Sequence, residues 1–321
     1  MIHSFIFSEG KLVGRDLELE ALRLVHGDKG LVLWVDLENP TDQEIKDILE
    51  GVFQFHPLAI EDCVTPSPLP KIEDYDDYLF MVTHAVDFSR AEKFATTELD
   101  LFLGKEFLVT FHRTPLKSVQ AALDRVGKST ARGPDRLAHT VLDHLVDNYQ
   151  PVVDELRLEL EELEESVLNA TSSQQKLVNE LLAVRSDFSR LRHIVRPQRD
   201  VIDRLARGDS RFIRHTLLPY YRDLRDNLAR LEDMTIAFHE RLMMAFDIYL
   251  NKAAFEANEG IKFLTALTAV TLPAVMVGGW YGMNFEHMPE LRSPHGYLYA
   301  GIFTLVSTVL MAVYLKKKKW F

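Results

Sequence analysis

The pattern of apolar and polar positions changes character along the chain. Up to about residue 259, apolar residues recur in short alternating or helical patterns among many Asp, Glu and Arg, whereas residues 263–285 and 293–315 contain no Asp, Glu, Lys or Arg. Each of these stretches is long enough to cross a hydrocarbon layer about 30 Å thick as a helix, and a short loop separates them, so they predict a membrane hairpin. Earlier in the chain, residues 31–37 (LVLWVDL) form a β-branched apolar run. Pro40 and Thr41 then precede a helical spacing through Ile45, Ile48, Leu49, Val52 and Phe53, which reads as strand, cap, helix. Residues 78–88 (YLFMVTHAVDF) and 98–112 (ELDLFLGKEFLVTFH) read as further strands, the second broken by a turn at Gly104-Lys105, and a helix is expected over 116–126. Residues 1–130 are therefore expected to form an α/β domain.

From Asp135 the pattern is helical and heavily charged, which predicts a helical part over residues 131–217. Leu156, Leu160, Leu163 and Val167 fall on one stripe, while Glu155, Glu159, Glu162 and Glu165 occupy other faces. Leu177, Leu181, Val184, Phe188, Leu191 and Val195 repeat the stripe, and Pro197 is expected to disturb that helix or cap its end. Another helix starts near Leu218-Pro219, where proline suits a first turn. No proline or glycine interrupts residues 220–258, and apolar residues recur at Leu224, Leu228, Leu231, Phe238, Leu242, Phe246 and Tyr249. Unbroken to Tyr281, this helix would span about 90 Å. So long a rod must project beyond a small domain, and its apolar stripe predicts self-association. The expected organisation is a stalk over 218–284 continuing into the first transmembrane helix, an external loop over 285–296, and a second transmembrane helix with a basic tail over 297–321. In class this is an α+β membrane protein with an N-terminal cytosolic α/β domain, a long helical stalk and two C-terminal transmembrane helices.

Averaged over 321 residues, a net charge of -11 and 47% hydrophobic residues would suit a soluble protein, so the uneven placement is the informative feature. Lys252 and Lys262 precede the first span and Lys316, Lys317, Lys318 and Lys319 follow the second, whereas the loop sets only Arg292 against Glu286 and Glu290. Basic residues collect on the cytosolic side, so both termini are expected in the cytosol, the loop outside, and the protein in a plasma-type (inner) membrane with Trp320 at the interface. The single cysteine, Cys63, excludes an internal disulfide and a cysteine zinc site within one chain. Residues 1–10 do not read as a secretory signal. The acidic balance argues against nucleic acid as a partner and suits a surface that attracts cations.

Enzyme motifs fail on inspection. Gly127-Lys128-Ser129 resembles the end of a phosphate loop, but Ala122 stands where its first glycine is needed, and His239-Glu240 meets Met243 where a zinc protease needs its second histidine. No G-x-S-x-G element occurs, so no catalytic role is expected. The first span carries Thr265, Thr268, Thr271, Pro273, Gly278 and Gly279, while the second is mainly bulky. Small and hydroxyl residues permit close helix contact and can also face a water-filled path.

The outer end of the first span reads Tyr281-Gly282-Met283-Asn284-Phe285-Glu286, followed by Met288-Pro289-Glu290-Leu291. Gly282-Met283-Asn284 resembles the GMN signature of CorA-type magnesium transporters, and its place before the last span, the MPEL loop and the final lysine run extend the resemblance over essentially the whole chain. The resemblance implies a homopentamer in the lipid bilayer whose first membrane helix lines the pore, with Gly282, Met283 and Asn284 as the selectivity filter. Mg²⁺ gives up its six waters reluctantly, so a neutral carboxamide ring that accepts hydrogen bonds from those waters is suitable chemistry. A carboxylate there would hold the ion too strongly to release it. The resemblance further implies that Asn258, Ile261, Leu264, Thr265, Leu272 and Gly279 border the path. Ile261, Leu264 and Leu272 would be hydrophobic constrictions, two of them at positions where family members often carry methionine, and Glu286 and Glu290 would gather cations at the mouth. It implies regulatory divalent sites between cytosolic domains, for which Pro219-Tyr220-Tyr221-Arg222-Asp223 suggests Asp223, with a partner near Asp87. Mg²⁺ is then both cargo and regulator, with Co²⁺ or Ni²⁺ as further cargo. Two alternatives remain open: a Zn²⁺ transporter of the same superfamily, disfavoured by the MPEL loop and the scattered histidines, and a non-conducting membrane-anchored oligomeric sensor or scaffold.

Overall fold

The computed structural model describes residues 1–89, 92–126, 132–169, 175–284, 288–289, 293–318 and 320, with the backbone alone described for 87–89 and 92–95. Two compact units separate: Met1–Ser166 with Lys176–Met244, and Val167–Gln175 with Ala245–Phe321.

The first unit is built on a seven-stranded sheet in the order β2-β1-β3-β7-β6-β5-β4. Its strands are β1 (Ile2–Ser8), β2 (Lys11–Arg15), β3 (Leu31–Glu38), β4 (Lys71–Asp74), β5 (Tyr78–Ser89), β6 (Glu92–Gly104) and β7 (Phe107–His112). Among the described residues only β3 and β7 pair in parallel, and these central strands are buried on both faces, which explains their near-continuous apolar runs. The expected turn at Gly104-Lys105 does separate β6 from β7. The hairpin of β1 and β2 escaped the sequence reading. It turns through Glu9 and Gly10, both at positive φ (49° and 83°), and places Phe5 beside Trp34 with ring centroids 5.6 Å apart.

Helices α1 (Leu19–Val25), α2 (Asp42–Ile45), α3 (Pro57–Val64) and α4 (Lys117–Arg125) join the strands. Thr41 caps α2 as expected: its hydroxyl accepts from the Glu44 backbone N–H at 3.3 Å while the Glu44 carboxylate accepts from the Thr41 N–H at 2.7 Å. The anticipated single helix through Phe53 instead widens into a π-turn at Lys46–Glu50. The wider turn delivers Val52, Phe53 and Phe55 to the core, where Phe55 stacks on Phe102 at 4.0 Å.

The helical part begins with α5 (Pro134–Asp147) and α6 (Tyr149–Asn169) and continues with α7 (Gln175–Ala206) and α8 (Leu218–Tyr281). The predicted stripes are buried: Leu156, Leu160 and Leu163 on α6, Leu181 to Val195 on α7, and Leu224, Leu228, Leu231 and Leu242 on α8. Pro197 neither ends nor caps α7, which runs on to Ala206. The missing N–H strands the carbonyl of His193, which lies on the exposed side where water can satisfy it.

Side chains tie the helices to the sheet. Past the end of β4, the edge of β5 is covered at His84, whose N–H donates to Gln198 of α7 at 3.1 Å and whose carbonyl accepts the Tyr149 hydroxyl at 2.5 Å. Beside it the buried Asp100 carboxyl has its pKa pushed well up, chiefly by burial and then by the charge of Glu98. Where the chain enters α8, Arg214 clamps the buried Asp135 carboxylate through Nε (2.8 Å) and Nη2 (2.5 Å), and the Tyr221 hydroxyl donates to the Asp135 carbonyl at 2.8 Å. Farther along α8, Arg241 reaches Glu164 of α6 at 2.6 Å.

The second unit contains the C-terminal part of α8 and α9 (Gly296–Lys317). Both helices are long and apolar enough to cross a membrane, and only 6% of the most apolar window of each is buried. Apolar exposure on this scale is unfavourable in water and natural in lipid.

Candidate ion path

Every residue expected along the path from Asn258 to Asn284 falls on α8 or just after its last turn, so one helix sets their relative placement. Asn258, Thr265, Gly279, Gly282 and Asn284 are exposed, and Ile261, Leu264 and Leu272 are 62%, 63% and 47% exposed. A Cβ added at Gly260, Gly278 or Gly279 would meet nothing within 4 Å, so no contact within the chain requires glycine there. What these positions offer is room for a close neighbour or an open path.

The polar groups of the span are held by the helix itself. Thr265 Oγ1 donates to the Ile261 carbonyl at 2.8 Å, Thr268 Oγ1 to Leu264 at 2.9 Å and Thr271 Oγ1 to Leu267 at 3.1 Å. Each hydroxyl proton is thereby used, and each oxygen keeps acceptor capacity for water. Pro273 sits inside the helix without ending it.

At the outer end, the Gly282 N–H still donates to the Gly278 carbonyl at 3.0 Å, and the Met283 N–H turns to Trp280 at 3.3 Å. Neither Gly282 nor Asn284 takes a positive φ. The helix thus ends without a left-handed glycine or asparagine at these two positions, and Asn284 is exposed. Glu286 and Glu290, the expected mouth acids, lie outside the described residues, as does Gly127-Lys128-Ser129.

Asp223 is exposed in the second turn of α8, and the side chain of its expected partner Asp87 lies outside the described residues. The fold places α5 opposite Asp223. The pKa of Asp147 is raised, first by burial and then by the charge of Asp143, with Asp223 adding a smaller push in the same sense against His144 and Arg125, so three carboxylates share one electrostatic neighbourhood with these two bases. His139, 7% exposed beneath them, has its pKa lowered, first by burial, although Asp143 and Asp223 act in the opposite sense. Sequence reading missed Asp143 and Asp147; their i,i+4 spacing on α5 was the available signal. Among the described residues no group of three or more His, Cys, Asp or Glu is arranged to hold a metal ion.

An α/β unit followed by a 64-residue helix and a second apolar helix, with Gly-Met-Asn at the turn between them, defines a two-span α+β membrane protein. Residues 29–317 match the model of the CorA-like Mg²⁺ transporter protein family, and the chain belongs to that family. It is 32% identical to YfjQ of Bacillus subtilis, a candidate metal ion transporter, over 292 residues that cover 90% of this chain and 89% of the relative. It is 28% identical to the cobalt/magnesium transport protein CorA of Thermotoga maritima over 298 residues, covering 91% and 84% of the two chains. The fold is that of the complete CorA magnesium transporter from Methanocaldococcus jannaschii, with a TM-score of 0.83 and 20% identity over 99% of this chain and 98% of that one.

Proposed function

We propose that this protein is a homopentameric divalent-cation channel that passes Mg²⁺, and Co²⁺ or Ni²⁺, across an inner membrane. The first transmembrane helix lines the path and Asn284 rings its outer mouth. Residues 1–217 and the stalk then lie in the cytosol, residues 285–296 outside, and the tail after α9 in the cytosol again. The observation that carries the reading is the exposed series on α8 from Asn258 to Gly279, which leads to the exposed amide side chain of Asn284. The names of the Bacillus and Thermotoga relatives, a candidate metal ion transporter and a cobalt/magnesium transport protein, agree with it.

In operation Asn284 accepts hydrogen bonds from the waters of a hydrated ion and selects without stripping them. Ile261, Leu264 and Leu272 close the path by excluding water when the helices approach. Cytosolic Mg²⁺ between adjacent subunits, with Asp223 as a ligand and Asp87 nearby, offsets acidic repulsion and holds the closed state; loss of the ion releases it. The test is flux into liposomes holding the full-length protein and an internal Mg²⁺ indicator. Wild type passes Mg²⁺ down its gradient at low internal Mg²⁺, and Asn284→Ala loses the flux or its preference for Mg²⁺. Preferred passage of Zn²⁺ in competition would favour the zinc alternative, and no divalent flux at all would leave an oligomeric sensor or scaffold.

A further inference from the structure

We propose that Thr268 places a ring of hydroxyl oxygens inside the apolar constriction of the path, a wet step between the levels of Leu264 and Leu272 that the permeating hydrated ion uses. The inference rests on the channel reading above and adds to it a residue that neither the motif nor the expected path contains.

The argument starts from which side of α8 is covered. Along the first span Ala266 is fully buried, and Ala269, Val270, Pro273, Val277 and Tyr281 are half-buried, while the other residues from Phe263 to Trp280 are exposed. Val277 and Tyr281, with Ala274 and Gly278, line a cavity of about 700 Å³ shared with Ala300, Gly301 and Thr304 of α9. This side of the helix therefore faces α9. A helix turns about 100° per residue, so positions nine apart lie on opposite sides. Ile261 stands nine before Val270, Leu272 nine before Tyr281, and Gly279 nine after Val270. Thr268 stands nine before Val277, directly opposite the α9 side. It also fills the gap in a three-four spacing that runs Asn258, Ile261, Thr265, Thr268, Leu272. In a ring of helices with α9 outside, Thr268 faces the axis.

Its chemistry at that place follows from one hydrogen bond. The hydroxyl proton is committed to the Leu264 carbonyl at 2.9 Å, so the side chain presents its oxygen as an acceptor, the role suited to the protons of ion-bound water. Thr268 lies about 6 Å along the axis from both Leu264 and Leu272, so with Thr265 near the Leu264 level it shortens the dry interval that leads to Leu272. A gate that closes by dewetting then opens at a smaller expansion.

The test uses full-length protein in Mg²⁺-flux liposomes. Thr268→Val keeps the shape and removes the acceptor, and should lower flux roughly tenfold, the rate equivalent of one hydrogen bond to a charged species. Thr268→Ser should restore flux. Thr304→Val, which removes a hydroxyl bonded in the same way on α9, should leave flux unchanged, which separates a path role from helix packing. In a Cys63→Ser background, the thiol introduced by Thr268→Cys should react with a water-soluble methanethiosulfonate during flux and block it. Full flux through Thr268→Val, or an unreactive thiol in a conducting Thr268→Cys variant, would overturn this inference alone. A silent wild type would overturn the channel reading and this inference with it.

Discussion

Arg214 and Asp135 form a joint whose two halves should fail unequally. The Asp135 side chain is 2% exposed, while that of Arg214 is 46% exposed. The carboxylate also accepts from the backbone N–H groups of Arg136 (2.9 Å) and Arg214 (3.0 Å). Arg214→Met removes the guanidinium and strands a buried carboxylate that keeps only those backbone donors. For a fully buried pair such a loss costs about 3–5 kcal/mol. Water admitted through the exposed side of Arg214 reduces this to about 2–3 kcal/mol. Asp135→Asn instead leaves a guanidinium that can turn to solvent and a carboxamide that still accepts, at about 1 kcal/mol. For a unit of this size each kcal/mol lowers the unfolding midpoint by about 2–4 °C. The expected losses are therefore about 4–12 °C for Arg214→Met and about 2–4 °C for Asp135→Asn. The assay is thermal unfolding of the full-length protein in detergent, followed by circular dichroism at fixed protein concentration because oligomers couple midpoint to concentration. Equal losses, or a larger one for Asp135→Asn, would refute the assignment of the cost to a stranded buried charge.

Other outcomes follow from the same structure. Asp223→Ala should raise the internal Mg²⁺ needed to stop flux, or abolish the inhibition, with the open-path rate unchanged; liposomes loaded with graded Mg²⁺ measure it. Asp100 has a raised pKa, so it holds its proton better folded than unfolded. Its contribution to stability is complete below the unfolded carboxyl value of about 4 and is lost as pH climbs through the raised folded value. Asp100→Asn should accordingly flatten the decline of the midpoint above pH 4, and an unchanged profile would remove Asp100 as its source. Tyr149→Phe leaves the buried His84 carbonyl without its hydroxyl donor, at about 1–3 kcal/mol, which hydrogen exchange at the β5 edge would register as faster opening.

What could be read in advance depended on whether one element carried the information. β3, β5 and β7 announced themselves because their residues are buried on both faces, and the stripes of α6, α7 and α8 because each packs along a single side. The expected path came from the resemblance, not from spacing; the structure adds that Asn258 to Gly279 all lie on one helix. β4 (KIED) is short, polar and at the sheet edge, so neither period nor composition marked it. The π-turn after Ile45 answers a tertiary demand, the seating of Phe53 and Phe55, that local spacing does not contain. Pro197 does not cap α7, and His193, whose carbonyl loses its donor, is exposed, as its place off the apolar stripe allows. The acids around Asp223 come from α5, some eighty residues earlier in the chain, and only folding brings them together.

The central claim concerns a shared axis. The direct measurement is an electron cryomicroscopy map of the full-length protein in a lipid disc at low Mg²⁺. The account predicts a fivefold ring with an axial opening bordered by residues 258–284, Asn284 at its outer rim and α9 on the periphery. A particle without such an opening, or with the Asn258–Gly279 face turned to lipid, would contradict it.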